Sequence, residues 1–179
     1  MATRQPRGFG HVDTWLFDLD NTLYPASSGF MGEIETRMTT YVEGVTGLPR
    51  DEAYKLQKKY LADYGLTLGG LVAHHGVDPG DFHTIFHDMS LDALAHDPEL
   101  VAAIARLPGR RLIFTNADDV HAERVLAHLG LSDLFTDVFH IGSADYVPKP
   151  ALATFEKMSA AHDIDPAATA FFEDSERNL

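Results

Sequence analysis

The chain has 179 residues, no cysteine and a formal net charge of −13, with 45% hydrophobic and 23% charged residues. The lack of cysteine excludes disulfides, zinc–thiolate sites and cysteine-phosphatase chemistry. The negative charge argues against a nucleic-acid partner, because phosphate backbones are held by clustered Lys and Arg. No apolar run approaches the roughly 20 residues of a membrane span, and no apolar segment follows Arg4 and Arg7 as a signal peptide requires. We therefore expect a cytoplasmic globular protein with no membrane partner; its oligomeric state stays open.

The first predicted strand, over residues 14–19, leads into two aspartates one residue apart, Asp18 and Asp20. If the chain turns after Asp18, the two carboxylates bracket one point, which suits a nucleophile and its acid/base partner. The alternative is a strand capped by a solvated turn at Asn21 and Thr22. From average residue usage, the pattern D-x-D-[NG]-T-[LV] arises by chance in roughly one chain of this length in two thousand. The functional interpretation is therefore favoured.

A helical region follows the first strand. Apolar residues recur three or four apart, and glycines mark the ends of each stretch, which is typical of short amphipathic helices. The predicted helices cover residues 30–45, 49–64, 67–75 and 79–89. We interpret residues 25–96 as an all-helical insertion between two strands.

From residue 97 onward, short apolar strands alternate with helices. The helices are predicted at residues 98–107, 119–129 and 151–162, and the strands at 111–115, 137–141 and 168–172. This alternation predicts an α/β fold: a Rossmann-like parallel sheet with helices on both faces. Ligands bind such sheets outside the carboxyl ends of the strands. Because Asp18, Thr115 and the pair Glu173-Asp174 each lie at such an end, we expect them to share one site.

Four motifs in a fixed order resemble those of the haloacid dehalogenase-like superfamily, most of whose members are Mg²⁺-dependent phosphohydrolases. The motifs are Asp18-Leu19-Asp20-Asn21-Thr22, Arg111-Leu112-Ile113-Phe114-Thr115-Asn116-Ala117, Val147-Pro148-Lys149-Pro150 and Ala170-Phe171-Phe172-Glu173-Asp174-Ser175. The resemblance implies a catalytic α/β core at residues 11–24 and 97–179, a helical cap at 25–96 and a loose N-terminal arm at 1–10. It also implies a further helix and at least one more strand after Asp174.

The resemblance implies phosphomonoester hydrolysis through an aspartyl-phosphate intermediate. Asp18 would be the nucleophile, and Asp20 would protonate the leaving oxygen and then take a proton from water. Thr115 and the backbone of Asn116 would bind phosphoryl oxygens. Lys149 would pair with the phosphate and with Asp18. An alternative for Thr115 is a simple helix N-cap.

The same resemblance implies a Mg²⁺ site, since hard oxygen ligands suit magnesium. Asp18 and Asp174 would bind the ion through their carboxylates, and Asp20 through its backbone carbonyl. Glu173 replaces the aspartate of many relatives. It is either a further ligand or a group that orients Lys149 or a metal-bound water.

The substrate implied is a small phosphorylated metabolite. Residues 18–25, 64–68 and 74–79 are most similar to the pyrimidine 5′-nucleotidase branch, which makes UMP or CMP the expected substrate. Alternatives are a sugar-phosphate or phosphoglycolate-type phosphatase, a phosphomutase, or a phosphonate hydrolase, which would need a Schiff-base lysine in the cap. From another class, a catalytically silent module that binds a phosphorylated ligand remains open.

Two histidines of the insertion, His83 and His87, lie four apart on a predicted helix. That spacing suits a transition-metal site, but no third ligand accompanies them. We therefore expect solvated or capping roles for both.

Overall fold

The computed structural model describes residues 8–179 and contains a four-stranded, fully parallel sheet in the order β3-β2-β1-β4. The strands are β1 (Thr14–Phe17), β2 (Arg110–Phe114), β3 (Asp137–Phe139) and β4 (Thr169–Phe172). The helices are α1 (Phe30–Thr46), α2 (Arg50–Tyr64), α3 (Thr67–His75), α4 (Pro79–Thr84), α5 (Pro98–Ala105), α6 (Asp119–Leu129) and α7 (Leu152–His162). The predicted α/β fold class is confirmed.

Side chains of the central strand alternate between two apolar clusters, one on each face of the sheet. Trp15 and Phe17 belong to the larger cluster, which includes the buried face of α6. Leu16 belongs to the second cluster, with Phe114 from β2 and Met158 from α7. Successive strand residues point to opposite faces, so a strand that is apolar throughout needs helices on both sides. The structure has this arrangement.

Helices α1 to α4 lie in sequence between β1 and β2, as predicted. The first three pack on one another because two glycines of α3 admit tyrosines of α2. A Cβ atom at Gly70 would lie 2.1 Å from Tyr60 Cγ, and one at Gly69 would lie 2.8 Å from Tyr64 Cβ. Helix α4 ends five residues earlier than predicted, because the backbone N–H groups of residues 85–87 and 89 donate to the third residue back.

Three strands end earlier than predicted, β1 at Phe17, β2 at Phe114 and β3 at Phe139, whereas β4 ends at Phe172 as predicted. Within the described residues β4 pairs with β1 alone, and Phe172 at its end is exposed. Of the predicted loose arm, residues 1–7 lie outside the described residues; Phe9 contacts Trp15 at a ring-centroid distance of 5.6 Å. None of the helices within residues 8–179 is long and apolar enough to cross a membrane.

The turn into β2 depends on a glycine that touches the chain before β1. Gly109 has φ +82°, and a Cβ atom there would lie 1.9 Å from the carbonyl oxygen of Asp13.

We expect Gly109→Ala to lower the free energy of unfolding by about 2 kcal/mol or more, through backbone strain and this clash. The matched control is Gly44→Ala in α1, where a Cβ meets nothing within 4 Å. It should raise the same free energy by about 0.5–1 kcal/mol. Urea denaturation measures both, and equal effects would contradict the prediction.

Candidate active site

The carboxyl ends of three strands hold the predicted site residues side by side. The backbone N–H of Asp18 donates to the carbonyl oxygen of Phe172 (2.9 Å), and that of Thr115 donates to that of Phe139 (3.0 Å). These bonds carry the parallel ladder one residue past the strands. Both side chains are buried and therefore start from rigid backbone.

The ammonium group of Lys149 joins these strand ends. It donates to Asp18 Oδ1 (2.8 Å), to Glu173 Oε2 (2.6 Å) and to the carbonyl oxygen of Phe114 (2.8 Å). Its side chain is fully buried, and its nitrogen lies 5.1 and 5.3 Å from the ring centres of Phe114 and Phe171. An ammonium has three donors, and all three are used within the protein. The structure thus brings Lys149 to Asp18 as predicted, whereas contact of Lys149 with a phosphate stays a prediction.

Asp18 is held in a poorly solvated position. Burial raises the pKa of its carboxyl to about 6, even though Lys149 opposes the shift by its charge and its hydrogen bond. The nearby carboxylates of Glu173 and Asp20 also raise this pKa. Thr22 Oγ1 donates to Asp18 Oδ2 at 3.2 Å. A carboxylate with so little water around it keeps much of its nucleophilic character.

Three acidic side chains converge on the point expected for a metal ion. Each of Asp18, Glu173 and Asp174 places a carboxylate oxygen within 4.8 Å of the other two. Partial desolvation and the charge of Glu173 raise the pKa of Asp174. Hard, negatively charged oxygen donors are the set that Mg²⁺ prefers, so these residues fit the ion.

Glu173 uses both of its oxygens within the protein. Oε2 accepts from Lys149, and Oε1 accepts from the backbone N–H of Ser175 (3.2 Å) and from Asn178 Nδ2 (3.2 Å). Of the roles considered for Glu173, this geometry supports orientation of Lys149. A role as metal ligand would share an oxygen already engaged.

Asp20 has two partners that sequence reasoning missed. The hydroxyl of Tyr24 donates to Asp20 Oδ1 at 2.6 Å, and His121 Nε2 lies 2.9 Å from the same oxygen. Burial alone would raise the pKa of Asp20, but the charge of His121 and these two hydrogen bonds together lower it below its ordinary value. Burial and the Asp20 carboxylate raise the pKa of Tyr24, so its hydroxyl remains a donor. The four-residue spacing to Tyr24 was a usable signal, whereas His121 is distant in sequence.

Thr115 and Asn116 occupy the loop before α6. Thr115 Oγ1 accepts from the backbone N–H of Ala117 at 3.0 Å. The N-cap of α6 is Asp118, whose side chain accepts from the backbone N–H of His121, so the N-cap alternative for Thr115 is wrong. Asn116 Oδ1 accepts from the backbone N–H of Lys149 (2.8 Å) and so positions that residue.

A cavity of about 270 Å³ lies over these groups, between the sheet ends and the helical insertion. The sheet side is polar and includes Asp18, Asp20, Thr115, Asn116 and Asp174. The insertion side is mainly apolar, and its apolar residues are Met31, Ile34, Met38, Leu66, Leu68, Phe82 and Phe86. Within the described residues, the cavity lining contains no Lys or Arg.

The expectation that His83 is solvated or capping is wrong. The residue is 9% exposed, lines the cavity and leaves Nε2 without a hydrogen-bond partner among the described residues. His87 instead pairs with Asp118 Oδ2 at 2.6 Å. His87 does not cap α4, because that helix ends at Thr84 and the turn after it places His87 next to α6.

Comparisons with known proteins identify the family of this chain. The model of the haloacid dehalogenase-like hydrolase family matches residues 12–179. Phosphate metabolism protein 8 of Saccharomyces cerevisiae is 28% identical over 181 residues, a match that covers 92% of this chain. The chain spans only 56% of the length of that curated relative.

Solved structures show a similar fold at low identity. A predicted phosphoglycolate phosphatase from Haemophilus somnus matches with a TM-score of 0.57 and 16% identity, covering 92% of this chain and 77% of the other. A predicted HAD-like family hydrolase from Porphyromonas gingivalis matches with a TM-score of 0.53 and 14% identity, covering 94% and 85%. At these identities the likeness concerns the fold.

If Asp18, Glu173 and Asp174 form a metal site, Asp174→Asn should affect thermal stability in opposite ways with and without magnesium. In EDTA, Asp174→Asn should leave the melting temperature unchanged or raise it. The raised pKa of Asp174 means that its charged form destabilises the fold once the pH has passed that pKa. With Mg²⁺ at about 100 times its Kd, wild type should gain about 2.7 kcal/mol, and the variant should gain much less.

Differential scanning fluorimetry at pH 7.5 measures both conditions. The control is Asp92→Asn, an exposed acid outside the cluster, which should respond to Mg²⁺ as wild type does. An Asp174→Asn variant with the full wild-type gain would contradict the assignment of this metal site.

Proposed function

The chain belongs to the haloacid dehalogenase-like hydrolase family, and from this premise we propose that it is a Mg²⁺-dependent phosphomonoesterase with an aspartyl-phosphate intermediate. The observation that carries the proposal is the buried Asp18, held by Lys149 at the polar side of the cavity, with Asp20 beside it. We assign the catalytic core to residues 11–24 and 97–179 and the cap to residues 25–96. The cavity lies where these two parts meet.

Magnesium fits the cluster of acids described above. Asp18 and Asp174 would hold the ion through their carboxylates and Asp20 through its backbone carbonyl. The ion supplies positive charge that offsets the repulsion between the Asp18 carboxylate and a phosphate dianion.

In the first half-reaction, a carboxylate oxygen of Asp18 forms a bond to phosphorus while the bond from phosphorus to the leaving oxygen breaks. Asp20 gives its proton to that oxygen, so an alcohol and an acyl phosphate result. A phosphate dianion in the cavity opposes the low pKa of Asp20, because like charge favours the neutral acid. Thr115 Oγ1 and the backbone N–H of Asn116 would donate to the phosphoryl oxygens.

In the second half-reaction, Asp20 acts as a base. It takes a proton from a water molecule, whose oxygen forms a bond to phosphorus as the bond to Asp18 breaks. Inorganic phosphate leaves, and the Asp18 carboxylate is restored. Lys149 would stabilise that carboxylate, because its ammonium donates to Oδ1 at 2.8 Å.

The leaving group that suits the cavity best is an uncharged nucleoside, and UMP and CMP are the proposed substrates. The insertion side offers methionine, leucine and phenylalanine side chains, which favour a planar, weakly polar base. A phosphoglycolate or bisphosphate leaving group carries further negative charge and would require a cation there, yet the described lining has no Lys or Arg. The volume of about 270 Å³ is just below that of typical small-molecule sites, roughly 300–1,000 Å³.

Other observations support the proposal. The motif segment from Asp18 to Pro25 and two cap segments resemble the pyrimidine 5′-nucleotidase branch. The name of the yeast relative places that protein in phosphate metabolism. Lys58 and Lys59 pair with Glu35 and Asp63, away from the cavity, which disfavours the phosphonate-hydrolase alternative.

Phosphate release tests the proposed reaction. The panel contains UMP, CMP, AMP, phosphoglycolate and a glucose phosphate, each with Mg²⁺ and with EDTA, for wild type and Asp18→Asn. We expect Mg²⁺-dependent release that is greatest for UMP or CMP and falls at least about 10⁴-fold in the variant, because the nucleophile is lost. Mg²⁺ binding without turnover would instead support the silent binding module. Preference for phosphoglycolate would refute the nucleotide assignment while leaving the phosphatase intact.

The unpartnered nitrogen of His83 predicts a substrate contact. We expect His83→Phe to raise KM for UMP by about 10-fold, because a hydrogen bond to the nucleoside is lost. The same variant should unfold at the same or higher denaturant concentration, since a buried unpaired polar atom is removed. His87→Phe is the control: it loses the contact with Asp118 and should be less stable, with KM unchanged. An unchanged KM in His83→Phe would show that His83 does not read the substrate.

A further inference from the structure

The acid/base role proposed for Asp20 requires one of its two oxygens to face the leaving group, and the structure distinguishes between them. Tyr24 and His121 both contact Oδ1, at 2.6 and 2.9 Å. Among residues 8–179, no side chain makes a hydrogen bond to Oδ2. Asp20 lines the cavity and is about one-fifth exposed, so Oδ2 is the oxygen that a substrate can reach.

We propose that Tyr24 and His121 are positioning residues that hold Asp20 Oδ1, so that Oδ2 carries the proton in both half-reactions. This inference rests on the proposed phosphomonoesterase function. Neither residue touches the reacting atoms; each acts through Asp20. A terminal carboxylate rotates broadly about its last bond, and two donors on one oxygen remove that freedom before substrate binds.

Both donors are themselves rigid. Tyr24 is 3% exposed and His121 is 4% exposed. The ring of Phe30 meets that of Tyr24 edge-on at 5.8 Å and stacks on that of His121 at 6.0 Å. His121 is also fixed through its backbone N–H, which donates to Asp118 at the start of α6. We call Tyr24 and His121, which contact Asp20 Oδ1, together with Phe30, which packs against both of their rings, the Asp20 clamp.

Phe30 is the first residue of α1 and is fully buried. The ring that supports both donors thus comes from the helical insertion, whereas His121 comes from α6 and Asp20 follows β1. The position of the proton-transferring oxygen therefore depends on contact between the insertion and the sheet ends.

Leaving groups of different basicity separate positioning from general structural damage. The 5′-oxygen of a nucleoside is strongly basic and must be protonated as it leaves, whereas p-nitrophenolate leaves without a proton. The ratio kcat/KM reports the steps up to leaving-group departure. Misplacement of Asp20 should therefore lower kcat/KM for UMP much more than for p-nitrophenyl phosphate. Because Asp20 also activates water, kcat should fall for both substrates.

The experiment compares Tyr24→Phe, His121→Leu and His121→Gln with wild type at saturating Mg²⁺. We expect the first two variants to lower kcat/KM for UMP by about 30-fold, which is less than the full 10²–10⁴-fold contribution of general acid–base catalysis because Asp20 itself is retained. Their kcat/KM for p-nitrophenyl phosphate should stay within about threefold of wild type. His121→Gln keeps a donor near the position of Nε2 and should recover much of the activity toward UMP.

The matched control is His128→Gln on the same helix. His128 Nε2 contacts the carbonyl oxygen of Leu94 at 2.8 Å and lies outside the cavity lining. This variant should alter stability without changing the ratio of the two kcat/KM values. If His121→Leu does not fold, Tyr24→Phe, which removes a single hydroxyl, tests the clamp by itself.

Two results would contradict the positioning role of Tyr24 and His121: an equal loss of kcat/KM for UMP and for p-nitrophenyl phosphate, or an unchanged kcat/KM for UMP in Tyr24→Phe and in His121→Leu. In both cases the activity of the wild-type protein would leave the proposed function standing. A wild-type protein that releases no phosphate from either substrate would overturn the proposed function and the clamp with it.

Discussion

The ammonium group of Lys149 lies fully buried between Asp18 and Glu173, and the arrangement of the sheet ends depends on it. Without this cation, two carboxylates would approach each other against aromatic rings with little solvent to screen them. A buried charge is tolerated only when paired and hydrogen-bonded, and Lys149 meets both conditions with three acceptors. The loop that carries it is fixed in turn by Asn116. The ion pair therefore links three separate segments of the chain at one point.

The single positive charge of Lys149 does not balance the acidic groups of the site. Asp18, Asp20, Glu173 and Asp174 supply four carboxyl groups near the cavity; desolvation, with the charge of Glu173 as a lesser cause, raises the pKa values of Asp18 and Asp174. A bound divalent cation would reduce this excess of negative charge and would lower the repulsion that a phosphate group meets there. The overall charge of −13 is thus no obstacle to an anionic substrate, because the local field is set by groups within a few ångströms.

The two acids of the first motif differ through their surroundings. Asp18 is paired with a lysine but poorly solvated, and its pKa is raised to about 6. Asp20 accepts hydrogen bonds from Tyr24 and His121, and its pKa is lowered. Environments that push two neighbouring pKa values apart are typical of residues with different roles in one reaction. A cation at the Asp18 carboxylate would lower its pKa, and a phosphate dianion beside Asp20 would raise that of Asp20; those shifts are the ones that the proposed nucleophile and acid/base roles require.

The amino-acid sequence by itself determined the α/β fold class, the order of the strands and helices along the chain, and the polar residues at the strand ends. These features are local: periodicity, glycine ends and motif spacing are visible within short windows. Only the tertiary structure decided that Tyr24 and His121 meet on one oxygen of Asp20, that Glu173 holds Lys149, and that His83 is buried over the cavity. His121 lies 101 residues from Asp20. Contacts over such separations depend on how helices pack against the sheet, which no short window of sequence specifies.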